Sequence, residues 1–210
     1  MLAATAVTAA YGKSETLFTD LDFTVRPGEV VGLSGDSGSG KTTLVRLLAG
    51  LLTPAAGTVT LDGAPLPKRG TDIAVVFQSP RTATNPRFTL ARIIAEPARI
   101  RGERPPDPTR FATEVGLTPD LLDRRPHEVS DGQLQRACLA RALAQNPRYL
   151  LCDEATAMLD AATTAALLRS ITARAATAAL GVLLVSHDED LLAACCTRTT
   201  TLNAPGLGAS

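Results

Sequence analysis

The chain has 210 residues, 45% hydrophobic and 20% charged, the proportions of a domain that folds by burying apolar surface. Lys plus Arg and Asp plus Glu each total 21, so the formal net charge is zero and the basic footprint of a nucleic-acid binder is missing. No apolar run reaches the roughly 18 residues that cross a bilayer, and residues 1–10 lack the basic flank and long apolar stretch of a secretory signal. One domain over residues 1–210, cytoplasmic unless something holds it to a membrane, is the expectation.

Residues 24–25 and 29–33 are β-rich with a turn at Arg26-Pro27-Gly28, and they run straight into Gly35-Asp36-Ser37-Gly38-Ser39-Gly40-Lys41-Thr42. That octet matches Gly-x-x-x-x-Gly-Lys-[Ser/Thr]. Residues 42–52 follow with Leu44, Leu47, Leu48 and Leu51 at helical spacing, Gly50 near the end and Pro54 beyond, so a helix leaves the loop. In this context glycines let backbone N–H groups converge on phosphate oxygens, and the following helix aims its positive end at them. Lys41 brings charge to the β and γ phosphates and Thr42 offers a ligand to Mg²⁺. A glycine-rich turn without a ligand is the competing reading, and the complete match between strand and helix stands against it.

Further along, residues 57–62 and 72–77 read as strands. Residues 81–108 are rich in Pro and Arg, with a short helical pattern at 90–101, and read as an inserted subdomain. Residues 131–145 are helical, ending before Pro147. Residues 149–152 form an apolar strand closed by Asp153 and Glu154, where Asp153 can hold Mg²⁺ through water and Glu154 can polarise an attacking water. Residues 161–179 are a helix with Leu167, Leu168 and Ile171 as its buried stripe, and residues 182–185 are the final buried strand, ending at Ser186-His187-Asp188. Strands alternating with helices, with functional groups at strand carboxyl ends, predict an α/β fold around a largely parallel sheet. The tail from Asn203, with Pro205, Gly206 and Gly208, reads as frayed. The four cysteines, Cys138, Cys152, Cys195 and Cys196, lack Cys-x-x-Cys or zinc-like spacing and read as buried or incidental, with a redox or metal role at Cys195 and Cys196 as the alternative.

Val129-Ser130-Asp131-Gly132-Gln133, continued by Leu134-Gln135-Arg136 and Ala140-Arg141-Ala142-Leu143, resembles the Leu-Ser-Gly-Gly-Gln signature of the ATP-binding subunits of ABC transporters. The resemblance covers nearly the whole chain. Gln78 matches that family's Q-loop, Asp160 in Met158-Leu159-Asp160 its D-loop, His187 its switch histidine, and Tyr11 looks like the aromatic that stacks on adenine. Seen singly, Gln78 reads as a surface amide, His187 as a strand-end histidine and Tyr11 as a packing aromatic. Their order and spacing together carry the resemblance.

The resemblance implies a P-loop NTPase (RecA-like) α/β core with an antiparallel β part and an inserted α-helical subdomain near residues 79–142. It implies ATP and Mg²⁺ as cofactors. ATP would be held by Tyr11 and by residues 35–43, Thr43 included; Mg²⁺ by Thr42, Gln78 and, through water, Asp153; and hydrolysis would fall to Glu154 with His187 and Gln78. Two such subunits, alike or different, would pack head to tail, so that Ser130, Asp131, Gly132 and Gln133 contact the partner's ATP. Integral membrane permease subunits, and indirectly an extracellular substrate-binding protein, are the further partners implied, with the chain peripheral on the cytoplasmic side of the plasma membrane. Asp131 departs from the family's glycine and brings a carboxylate beside a triphosphate, a like-charge penalty unless it points away or meets a cation. The expectation is that it faces solvent as a helix-start acid.

Val76-Phe77-Gln78-Ser79-Pro80, Asn85-Pro86-Arg87, Ile93-Ile94-Ala95-Glu96-Pro97 and Arg125-Pro126-His127-Glu128 are similar to the peptide and nickel importers of that family. Such importers pair two different ATP subunits. Both histidines, His127 and His187, are absorbed by these motifs and leave no nickel site. Two rival readings stand: a soluble ABC ATPase that moves no substrate, such as an accessory in phosphonate breakdown, and a nucleotide-dependent interaction module with little catalysis.

Overall fold

The computed structural model describes residues 1–11, 15–67, 72–203 and 206–207. Two long strands, β1 (Leu2–Tyr11) and β2 (Glu15–Val25), precede β3 (Val30–Ser34), which feeds helix α1 (Lys41–Leu48). Then come β4 (Ala56–Leu61), β5 (Ala64–Pro65), β6 (Ile73–Val76) and three helices, α2 (Leu90–Ile100), α3 (Pro108–Glu114) and α4 (Asp131–Ala144). The chain continues through β7 (Tyr149–Asp153), α5 (Ala161–Ala178), β8 (Gly181–Val185), α6 (Glu189–Cys195), β9 (Arg198–Asn203) and β10 (Gly206–Leu207).

These strands build two sheets. One is four-stranded and antiparallel in the order β2-β1-β4-β5; the other runs β10-β9-β3-β8-β7-β6, parallel throughout except for the antiparallel β10–β9 pair. The central strands are buried along their whole length and therefore read as unbroken apolar runs, as strands covered on both faces do. Successive side chains still point to opposite faces. Tyr149, Leu151, Leu183 and Val185 join a core beneath α1 and the antiparallel sheet, with Phe18, Phe23, Leu44 and Leu48. Leu150, Cys152, Val182 and Leu184 join the opposite core, with Leu134, Leu139, Leu168, Ile171 and Leu192 from α4, α5 and α6. The parallel sheet is thus the middle layer, and everything that follows a strand at its carboxyl end emerges on one rim.

Three expectations need correction. The helix after the glycine-rich loop ends at Leu48 and not at residue 52. Gly50, at φ 69, lets its N–H donate to Leu47 O at 3.0 Å while Leu51 N–H donates to Arg46 O at 2.8 Å, a Schellman closure that turns Leu51 and Leu52 out to solvent. Residues 182–185 are not the last strand, because β9 pairs in parallel with β3. The tail does not fray at Asn203 and Gly206, which pair as β9 and β10, whereas Pro205 and Gly208 lie outside the described residues. Among the described residues no helix is long and apolar enough to cross a membrane.

Candidate active site

The loop between β3 and α1 wraps around the Lys41 ammonium. Lys41 Nζ donates to Gly35 O at 2.8 Å and to Asp36 O at 2.7 Å, and the side chain is buried to 6% exposure. A cation held by two carbonyls and otherwise shut away from water keeps a strong attraction for an anion delivered to it. Ser39 N–H donates to Asp36 O at 3.2 Å, while the Ser39 hydroxyl is buried with no hydrogen-bond partner among the described residues. Gly35 admits no other residue: its φ is 141, and a Cβ there would lie 2.3 Å from Leu202 O of β9.

Ser37, Gly38, Gly40, Lys41, Thr42 and Thr43 line one wall of a cleft of about 340 Å³, and Gln78, Glu154 and His187 line the other, with Leu17 at its edge. Those three side chains come from three separate strand ends. Gln78 Nε2 donates to Glu154 Oε2 at 2.7 Å, and His187 Nε2 lies 2.9 Å from Glu154 Oε1. Both carboxylate oxygens of Glu154 are therefore engaged, and the side chain is held at 18% exposure facing the loop. Glu154 itself sits at φ 51, a left-handed conformation that a non-glycine residue keeps only when its surroundings hold it. Its N–H donates to Val185 O at 3.1 Å, which locks β7 to β8 at the point where the acid leaves the sheet.

Asp153, one residue earlier, is only 3% exposed and accepts a hydrogen bond from Thr42 Oγ1 at 3.1 Å. Burial pushes its carboxyl above the usual carboxylate range, the Thr42 hydroxyl pulls it part of the way back, and the neighbouring Glu154 charge pushes it up again. A buried, underpaired carboxylate beside a hydroxyl is an all-oxygen donor set of the kind Mg²⁺ takes. The residues present therefore fit that ion.

The remaining expected residues lie elsewhere. Ser130 caps α4: its Oγ accepts from Gln133 N–H at 3.2 Å and its own N–H donates to Gln133 Oε1 at 2.9 Å, a reciprocal capping box. Gly132 packs against the loop before α5, where a Cβ would meet Met158 O at 2.9 Å. Asp160 caps α5 through Thr163 N–H at 2.9 Å and the Thr163 hydroxyl at 2.7 Å, and these bonds hold its carboxyl below the usual range. Residues 130–133 do not line the cleft beside the loop. Asp131 does not simply face solvent: its Oδ1 lies 2.5 Å from Arg81 Nη2, an ion pair without aligned hydrogen-bond geometry. Tyr11 closes β1, and its side chain lies outside what the structure describes.

Sequence reasoning missed Arg81, Leu17 and the backing strand β9. Burial raises all four thiols, to about 11 at Cys138 and about 12 at Cys152 and Cys196. Cys195 and Cys196 sit half-buried with sulfurs 3.8 Å apart.

A family model described as ABC transporter matches residues 18–157. The chain is 36% identical over 202 residues to the nickel import ATP-binding protein NikE of Escherichia coli strain K12, covering 90% of this chain and 75% of that protein. It is 37% identical over 204 residues to the NikE protein of Rhodospirillum rubrum, covering 90% and 73%. Among solved structures it is similar to a bacterial ABC transporter cassette in dimeric form, with a TM-score of 0.88, 25% identity and coverage of 97% and 94%. A post-hydrolysis dimer of an ATP-binding cassette bound to ADP and phosphate gives a TM-score of 0.87, 26% identity and coverage of 96% and 94%. These likenesses bear out the expected fold class, including the antiparallel β part and the helices inserted between β6 and β7.

Proposed function

The chain belongs to the ABC transporter family, and on that premise we propose that it is the ATP-hydrolysing subunit of an importer whose cargo is nickel. The observation that carries the catalytic reading is Glu154, held by Gln78 and His187 across the cleft from Lys41 and Thr42. The β and γ phosphates of ATP lie along the loop, against its converging N–H groups and the Lys41 ammonium. Thr42, Gln78 and, through water, Asp153 would hold Mg²⁺. When bound, the ion neutralises charge on the phosphate oxygens. Glu154 accepts the proton of the attacking water, and His187, on the same wall of the cleft, keeps the carboxylate oriented.

Residues 130–133 stand apart from the cleft, which supports their work on a second subunit's ATP. Two copies, or this chain and a similar one, close head to tail, with Ser130 and the first N–H groups of α4 meeting the γ phosphate held by the partner's loop. Likeness to a cassette solved as a dimer supports this arrangement. Permease subunits would hold the chain on the cytoplasmic face of the membrane, with an external binding protein supplying cargo. Nickel-import relatives favour nickel over the dipeptides or oligopeptides that the segment after Gln78 also allows. They equally give no support to a soluble accessory in phosphonate breakdown.

Glu154→Gln tests the assignment: turnover in the assembled complex should fall about a hundredfold or more, while ATP binding stays within about threefold of wild type. Unchanged hydrolysis by the variant would remove Glu154 from the mechanism. Co-purification with polytopic membrane proteins, and loss of nickel uptake but not peptide uptake when the gene is deleted, would test the cargo.

A further inference from the structure

Arg81 lies three residues beyond Gln78, and its guanidinium reaches three groups at the entry to α4. Nη1 donates to Pro126 O at 2.9 Å, Nη2 donates to Val129 O at 3.4 Å, and the same Nη2 lies 2.5 Å from Asp131 Oδ1. Asp131 Oδ1 is itself shielded from solvent, although the side chain as a whole is 45% exposed. An exposed ion pair of this kind adds little to folding stability. Its consequence is electrostatic, because it cancels the one charge that stands at the helix start where an anion is to be received.

We infer that Arg81 is a positioning residue that neutralises Asp131 and so keeps the first turn of α4 receptive to the partner's triphosphate. The inference rests on the reading that residues 130–133 meet the partner's ATP. It adds a cause for the tolerance of a carboxylate at residue 131: the segment carrying Gln78 supplies the counter-charge, and the same guanidinium fork fixes the carbonyls on either side of the turn that leads into Ser130. Asp131 and Arg81 form one unit, neutral only while both are present, and a movement of the segment after Gln78 bares or covers the Asp131 charge.

The test titrates MgATP against the full chain co-purified with its partner subunits, comparing wild type, Arg81→Gln, Asp131→Asn and the double variant. Glutamine keeps an N–H donor near the Pro126 and Val129 carbonyls and loses the charge. The pair is then neutral, negative, positive and neutral again across the four proteins. KM for MgATP should rise about tenfold in Arg81→Gln, fall about threefold in Asp131→Asn, and return to within about twofold of wild type in the double variant. A purely structural role for Arg81 would leave the double variant as impaired as Arg81→Gln, and that result, or a silent Arg81→Gln, would overturn the inference. Ser130→Ala, measured alongside, separates the two levels. If it raises KM while the charge series is flat, the shared ATP site stands and the charge pair falls. If it is silent, the shared ATP site falls and the inference falls with it, whatever order the charge series follows.

Discussion

Asp153 carries a cost that its neighbours only partly offset. Burial behind Thr42 raises its carboxyl, and the Thr42 hydroxyl does not fully compensate. For a carboxyl raised in the folded state, the folded chain binds the proton more tightly than the unfolded one. Stability is therefore lost as pH climbs from the ordinary carboxylate value through the raised one. Asp153→Asn should remove that slope and raise the stability of the nucleotide-free chain above it by about 1 kcal/mol, about 2–4 °C in Tm at this chain length, while ATPase activity collapses. Thermal melts from acid to neutral pH check it; a variant less stable than wild type at neutral pH would show that the carboxylate holds the fold and not only the ion. The phosphate loop was legible because each of its residues has a backbone or charge reason to be where it is. Arg81 was not: a single arginine in an Arg-rich stretch has no period or spacing to mark it, and its partner stands far along the chain.

Among elements, the contact between α4 and the loop before α5 is the one whose geometry leaves no slack. Gly132 occupies the first turn of α4, and a Cβ there would meet Met158 O at 2.9 Å and the Leu159 side chain at 3.3 Å. Alanine favours a helix over glycine by about 1 kcal/mol, so Gly132→Ala gains in the helix roughly what it loses by displacing a backbone carbonyl. Its Tm should stay within about 2 °C of wild type. The displaced loop carries Asp160, so the ATPase of the assembled complex should fall about tenfold, which is about 1.4 kcal/mol in barrier. Matched melts and turnover assays check it; normal turnover would mean that the two segments move independently. The helices and buried strands were legible from their apolar periods, but β9 was not. Arg198-Thr199-Thr200-Thr201-Leu202 is polar and only partly buried, and its β-branched threonines were the one available signal.

At the scale of the molecule, four loops leave four strand ends on one rim: the phosphate loop after β3, Gln78 after β6, Glu154 after β7 and His187 after β8. What holds the first of these in place comes from the far end of the chain. Strand β9 lies beside β3, its Thr201 hydroxyl shares a hydrogen bond of 2.9 Å with Ser34, and Leu202 O presses on the Cα of Gly35 so closely that no side chain fits. The glycine-rich loop is therefore shaped from behind by a strand that does not line the cleft. Two substitutions separate the parts of that support. Thr201→Val keeps the shape and removes the hydrogen bond, which should cost about 1 kcal/mol. Gly35→Ala forces a methyl into the Leu202 carbonyl at a φ that alanine avoids, and should cost about 2–4 kcal/mol. Because the displaced partner is backbone on both sides, the loop cannot give way alone, and MgATP affinity should fall at least tenfold in Gly35→Ala but less than threefold in Thr201→Val. Denaturant unfolding and nucleotide titration of the two proteins decide between this and a loop that folds independently of β9, in which case the two variants would bind ATP equally well.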